Sequence, residues 1–179
     1  MRSFRLALLM TLSAIPARAQ VIAEMTAERI QQAIAEGVKT KPAQYAVRKP
    51  KLWIEFDTPF LRVAKKAAAA PDATPSLATP DLIAPIVNIL AAPEPLGDSV
   101  PAIKKVVAVK ADGSVVAATS QQPFIDKAQS NKRKSIEIRG VRATFPIAVL
   151  EPGMQFRFSM SDGTEPTLAP EPNWFKVPR

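Results

Sequence analysis

Two residue types that carry much of the proton and metal chemistry of proteins are missing from this sequence, which has no histidine and no cysteine. Their absence removes a histidine-based triad, a thiolate nucleophile and a zinc site of the usual Cys and His ligands. Carboxylates, lysines and hydroxyls remain. Glu55 and Asp57 stand two apart in an alternating run, which puts them side by side on one face of a strand. A glycoside hydrolase needs two carboxylates held across a sugar, and no opposing partner for either is visible. Outward polar positions on a half-buried strand account for the pair more simply. A Ser-Lys dyad can replace histidine as base, but no Ser-x-x-Lys spacing occurs after residue 19. Asp112-Gly113-Ser114 and Ser161-Asp162-Gly163-Thr164-Glu165 offer oxygens to a hard cation, yet neither has the spaced carboxylates of a calcium loop, and ordinary turn chemistry explains both. There is no Gly-Lys-Ser or Gly-Lys-Thr segment to cradle a phosphate. No catalytic residue, metal site or cofactor is expected.

The remaining chemical signal is cationic: Lys127, Lys132, Arg133 and Lys134 in a polar stretch, followed by Arg139 and Arg142. Such a patch suits acidic lipid headgroups, an anionic polysaccharide or an acidic envelope protein. Lysines that guard a sheet edge against aggregation give the competing account. No aromatic residues are interleaved with these charges, so nucleic acid is not expected.

Compartment narrows the choice of partner. Arg2 and Arg5, an apolar stretch from Leu6 to Ile15 and the small residues of Ala17-Arg18-Ala19 have the order of a cleavable export signal, residues 1–19. A membrane anchor would need about 20 apolar residues, and this stretch is closed early by Pro16 and Arg18. The expected mature chain begins at Gln20, has no transmembrane segment, and acts in the periplasm or the medium. Removing residues 1–19 takes away three arginines and no acid, so the formal net charge of +8 falls to +5. That modest excess again argues against nucleic acid.

The elements that must position these groups form one domain over residues 20–179, with a core sustained by a hydrophobic fraction of 47%. A helix is expected from about Ala27 to Glu36, with Thr26 as N-cap, Met25 and Ile30 as a staple and Gly37 as a left-handed stop. Its face would carry Ile30, Ala33, Ile34 and Val38, either packed on the domain or offered to a partner. The run from Leu52 to Asp57 alternates as a strand. Thr58-Pro59 can then open a short helix that buries Phe60, Val63, Ala64 and Ala67 and leaves Arg62, Lys65 and Lys66 in water; a strand kinked at Pro59 is the alternative. From about 67 to 85 an Ala/Pro-rich stretch reads as a long loop.

Strands dominate the remainder. Ile86 to Leu90 is a short apolar run. Ile103 to Lys110 and Val115 to Thr119 form a hairpin around Asp112-Gly113. Gln121 to Lys134 reads as a polar separator. Val141, Ala143 and Phe145 alternate, as do Phe156, Phe158 and Met160, and Trp174 to Val177 offers a closing strand. Six or seven short strands without helical spacers favour a mainly β, antiparallel immunoglobulin-like sandwich over a doubly wound α/β fold.

The segment Leu150-Glu151-Pro152-Gly153-Met154-Gln155-Phe156 adds a resemblance. It is similar to the corner of fibronectin type III and related immunoglobulin-like domains, where Leu-x-Pro-Gly turns one strand into the next and an aromatic follows three residues after the glycine. The likeness covers about forty residues, from Ile136 to the C-terminus. The family usually has tyrosine where Phe156 stands, and phenylalanine cannot donate that tyrosine's hydrogen bond. The resemblance implies a fold and no activity. The function expected is that of an exported, non-catalytic binding or scaffolding protein of the cell envelope. The alternative is a hydrolase acting on an extracytoplasmic polymer through carboxylates.

Overall fold

The computed structural model describes residues 25–39, 46–49, 52–70, 72–94, 100–129 and 135–170. Helix α1 spans Ala27–Lys39. The Thr26 hydroxyl accepts the Arg29 N–H at 3.4 Å, and Met25 and Ile30 pack against the core as a staple would. The helix runs past the expected stop because Gly37 is helical and buried. Its role is close approach. A Cβ there would stand 2.8 Å from the Ala64 carbonyl carbon and nearer still to its oxygen. The longer helix also turns Val38 away from the core, 52% exposed.

A first prediction arises at this crossing. Gly37→Ala gains about 1 kcal/mol of helix propensity, whereas overpacking costs about 1–3 kcal/mol. Backbone at Ala64 cannot rotate out of the way as a side chain would, so the clash should win. A net loss of about 1 kcal/mol in urea unfolding is expected, and a more stable variant would contradict the crossing.

Strand β1 (Ala46–Lys49) pairs antiparallel with β2 (Leu52–Asp57), in which Leu52, Ile54 and Phe56 are buried in alternation. Thr58 then caps α2 (Pro59–Ala68), accepting the Leu61 N–H at 3.3 Å, with Pro59 in the first turn where its missing N–H costs nothing. The start at Thr58-Pro59 is therefore a helix and not a kinked strand. Phe60, Val63, Ala64 and Ala67 are buried as expected. Arg62 and Lys65 are not left in water. The Arg62 side chain is only 9% exposed and Lys65 is paired with carboxylates, while Lys66 alone of the three is exposed.

Arg62 ties the chain beyond α2 back onto that helix. Its guanidinium donates to the carbonyls of Asp57 (3.0 Å), Leu82 (2.9 Å), Ala84 (2.6 Å) and Ile86 (3.2 Å). The Ala/Pro-rich stretch is thereby pinned in place through a 3-10 turn at Pro75–Leu77 and a short helix α3 (Pro80–Ile83), with Leu77, Leu82 and Ile83 packed on the core.

Strands β3 (Ile86–Pro93), β4 (Ile103–Val109), β5 (Val115–Ala117), β6 (Ser120–Gln129), β7 (Ser135–Pro146), β8 (Gln155–Met160) and β9 (Thr167–Leu168) complete two antiparallel sheets. One has the order β1-β2-β3-β7-β6 and the other β5-β4-β8-β9. The β4–β5 hairpin turns at Gly113 with φ +84°, and the Asp112 carboxylate accepts the Ser114 N–H. Hydrogen bonding from the Ser114 side chain first, and then from its N–H, holds the Asp112 pKa below the ordinary carboxylate value.

The architecture is a mainly β antiparallel sandwich with an N-terminal helix and a second short one. Among the described residues it has nine strands, more than the sequence suggested. The excess comes chiefly from β6: the stretch from Gln121 onward is not a separator but an edge strand, paired with β7 from Ser120↔Thr144 to Gln129↔Ser135. An edge strand largely exposed to water shows no alternation, and Pro123 is tolerated only because the outer side needs no ladder donor. The proposed strand from Trp174 to Val177 and the export signal lie outside the described residues.

Between the sheets, Phe156 on β8 lies 5.6 Å from Phe56 on β2 and 5.5 Å from Phe145 on β7, centroid to centroid, all fully buried. The Leu150–Phe156 corner joins β7 to β8, turning at Gly153 with φ +85°. No helix among the described residues is long and apolar enough to cross a membrane.

Candidate functional site

The core takes one face of the five-stranded sheet and leaves the other outside. Register across β2, β3, β7 and β6 sorts that outer face into rows. Asp57 pairs with Asn88, Asn88 with Thr144 and Thr144 with Ser120 in the first row. Glu55, Leu90, Arg142 and Gln122 form the second in the same way. In the third, Trp53 pairs with Ala92 on one side and Phe124 with Gly140 on the other, so two aromatic residues flank two small ones. Gly140 has no room for a Cβ, which would stand 2.5 Å from Phe124 Cε1 and closer still to Ala91 O; the Phe124 ring lies over this glycine.

Two adjoining clefts occupy this face. A polar one of about 480 Å³ covers the first two rows and takes in Lys65. A second of about 400 Å³ is lined by Trp53, Ala92, Phe124, Ile125 and Ile138 together with Asp126. Leu90 and Arg142 line both. Each volume falls in the range of small-molecule sites, about 300–1,000 Å³.

Charge in the polar cleft is nearly closed on itself. The Lys65 ammonium binds the Glu55 carboxylate closely and reaches Asp57 Oδ1 at 3.3 Å, and Arg62 stands 4.0 Å from Asp57 Oδ2. Two acids thus face two bases. Burial draws the Arg62 pKa down from the ordinary arginine value, with Asp57 opposing it. The guanidinium nonetheless stays charged. Arg142 has no carboxylate within ion-pair reach among the described residues. It is exposed, with its guanidinium carbon 5.7 Å from the Phe124 ring centroid.

The cationic residues singled out in sequence are divided by this geometry. Lys127 belongs to β6 and not to a loop; it pairs with Glu137, while Arg139 pairs with Ile125 one step further along. Arg139 is spoken for locally, its Nε donating to Glu137 at 2.7 Å. Arg139 and Arg142 are three apart on one strand and so emerge on opposite faces. Lys132, Arg133 and Lys134 lie outside the described residues. Glu55 and Asp57 do come together, but side by side on β2 around one ammonium and not across a groove. No group of three or more acidic residues that could hold a metal occurs among the described residues.

Trp53, Phe124, Asn88 and Gln122 were not legible as site residues, because only pairing of four strands brings them into one face. The signal for Arg142 was present: Val141, Ala143 and Phe145 point inward, so Arg142 between them had to point out. No family model, curated protein or solved structure matches the chain.

Proposed function

We propose that this chain is a non-catalytic binding protein of the cell envelope, exported through the leader at residues 1–19, whose ligand lies across the outer face of the five-stranded sheet. The observation that carries the reading is Arg142, which stands at the junction of the two clefts with no carboxylate partner among the described residues, whereas Lys65 nearby is matched. A protein that balances Glu55, Asp57, Lys65 and Arg62 against one another and keeps Arg142 exposed between two clefts presents that charge to an incoming anion at little desolvation cost. The absence of His and Cys and the side-by-side carboxylates favour binding over hydrolysis.

An immunoglobulin-like ancestry belongs to the same proposal. It is supported by strand order, since β2-β3-β7-β6 over β5-β4-β8-β9 reproduces the A-B-E-D over C′-C-F-G arrangement of that sandwich. Leu150 to Phe156 then falls at the E–F corner.

Titrating the ¹⁵N-labelled mature chain with acidic and neutral oligosaccharides, acidic peptides and anionic vesicles tests the reading. At least one class should shift the amides of Trp53, Leu90, Phe124 and Arg142 while leaving β4 and β8 unmoved. Shifts confined to the hairpin end around Lys127 and Arg139, or none anywhere, would remove the outer face from consideration.

A further inference from the structure

We infer that the ligand of this face is an acidic polysaccharide, one sugar carboxylate bound by Arg142 and neighbouring rings lying along β3 and β7. The inference rests on the reading that the face binds a ligand at all, and adds its chemical class. A guanidinium presents a planar fork that matches a carboxylate with two parallel hydrogen bonds. Here the fork stands beside the Phe124 ring, which limits the freedom it would lose on binding. The polar row supplies what hydroxyl groups need. Thr144 donates to Asn88 Oδ1 at 2.8 Å, which turns the Asn88 amide nitrogen to the donor side with no protein acceptor among the described residues. The adjoining cleft is lined by Trp53, Ala92, Phe124 and Ile138, with Asp126 among its polar groups, and its aromatic surface suits the C–H face of a sugar ring.

Other anionic partners fit less well. An anionic bilayer, or a polymer charged at every repeat such as nucleic acid, would bring negative charge onto Glu55 and Asp57. A peptide added as a further strand would use the free edge of β6, where Pro123 lacks the N–H. A glycan with a carboxylate only on alternate rings places charge on Arg142 and neutral hydroxyls beside Glu55 and Asp57.

Calorimetry on the folded mature chain with a tetrasaccharide of alternating glucuronate and N-acetylglucosamine, its carboxyl-reduced counterpart and hexaglutamate decides the matter. The acidic tetrasaccharide should bind, and Arg142→Gln should weaken it by about 10- to 100-fold, the worth of one charged hydrogen-bonded contact. Trp53→Ala should weaken it about 10-fold. Loss of the carboxyls should match Arg142→Gln, while Arg139→Gln, on the opposite face, should change nothing. Each variant is compared at an unaltered thermal midpoint. Hexaglutamate binding as tightly, with the same dependence on Arg142 and none on Trp53, would overturn the sugar while keeping the face. Binding of the acidic tetrasaccharide that ignores Arg142→Gln, or no binding of it at all, would overturn the inference, and the broader titration above then shows whether the face itself stands.

Discussion

Phe156→Ala is expected to lower stability by about 3–5 kcal/mol, the range for truncating a buried aromatic. At about 2–4 °C per kcal/mol for a domain of this size, the thermal midpoint should fall by about 10–15 °C. The magnitude follows from position. The Phe156 ring is wholly enclosed and touches the core from the smaller sheet while Phe56 and Phe145 meet it from the larger, so its loss opens a void at the seam of the sandwich. The surrounding strands are hydrogen-bonded on both sides and cannot collapse into that void. Val115→Thr, at an exposed position on β5, should stay within about 0.5 kcal/mol of wild type. A loss at Phe156 no larger than at Val115 would mean that the two sheets are not packed through these rings.

Features legible in the sequence were those whose cause is local. Alternation from Leu52 to Asp57 needed only the burial of one strand face. Thr58-Pro59 and Asp112-Gly113 carry their own start and turn chemistry. The corner before Phe156 needed a glycine that tolerates positive φ. Features that escaped were those whose cause lies elsewhere in the chain. Gly37 resembles a helix stop until Ala64 is set against it. Lys65 resembles a solvated lysine until Glu55 and Asp57 are placed beside it by the β2–α2 turn. β6 has no inward face to advertise, because it is held by its backbone ladder to β7 while its side chains meet water. The outer face is the same case on a larger scale. Its rows draw single residues from four strands, and the one part readable in advance, that Arg142 must oppose Val141 and Ala143, separates it from the basic residues near it in sequence.

Arg62→Met should cost about 3 kcal/mol or more, because the methionine keeps the packed stem and removes every donor. Four carbonyls, from Asp57, Leu82, Ala84 and Ile86, then lose a shared partner in a place where the arginine is 9% exposed and water has little access. Arg62→Lys should recover only part of the loss. An ammonium has three donors and no planar fork, and burial penalises its charge more severely. The denaturant midpoint should fall at unchanged slope, and amide exchange should quicken first across 80–86, the segment Arg62 holds from a distance. A Met variant within about 0.5 kcal/mol of wild type would show those bonds to be dispensable. The same substitution bears on the outer face although Arg62 does not line it. With Arg62 gone, Lys65 alone faces Glu55 and Asp57, and the polar cleft gains one net negative charge. An acidic ligand seated on Arg142 should therefore bind more weakly to Arg62→Met than its loss of stability alone would require, and added salt should narrow that difference by screening it.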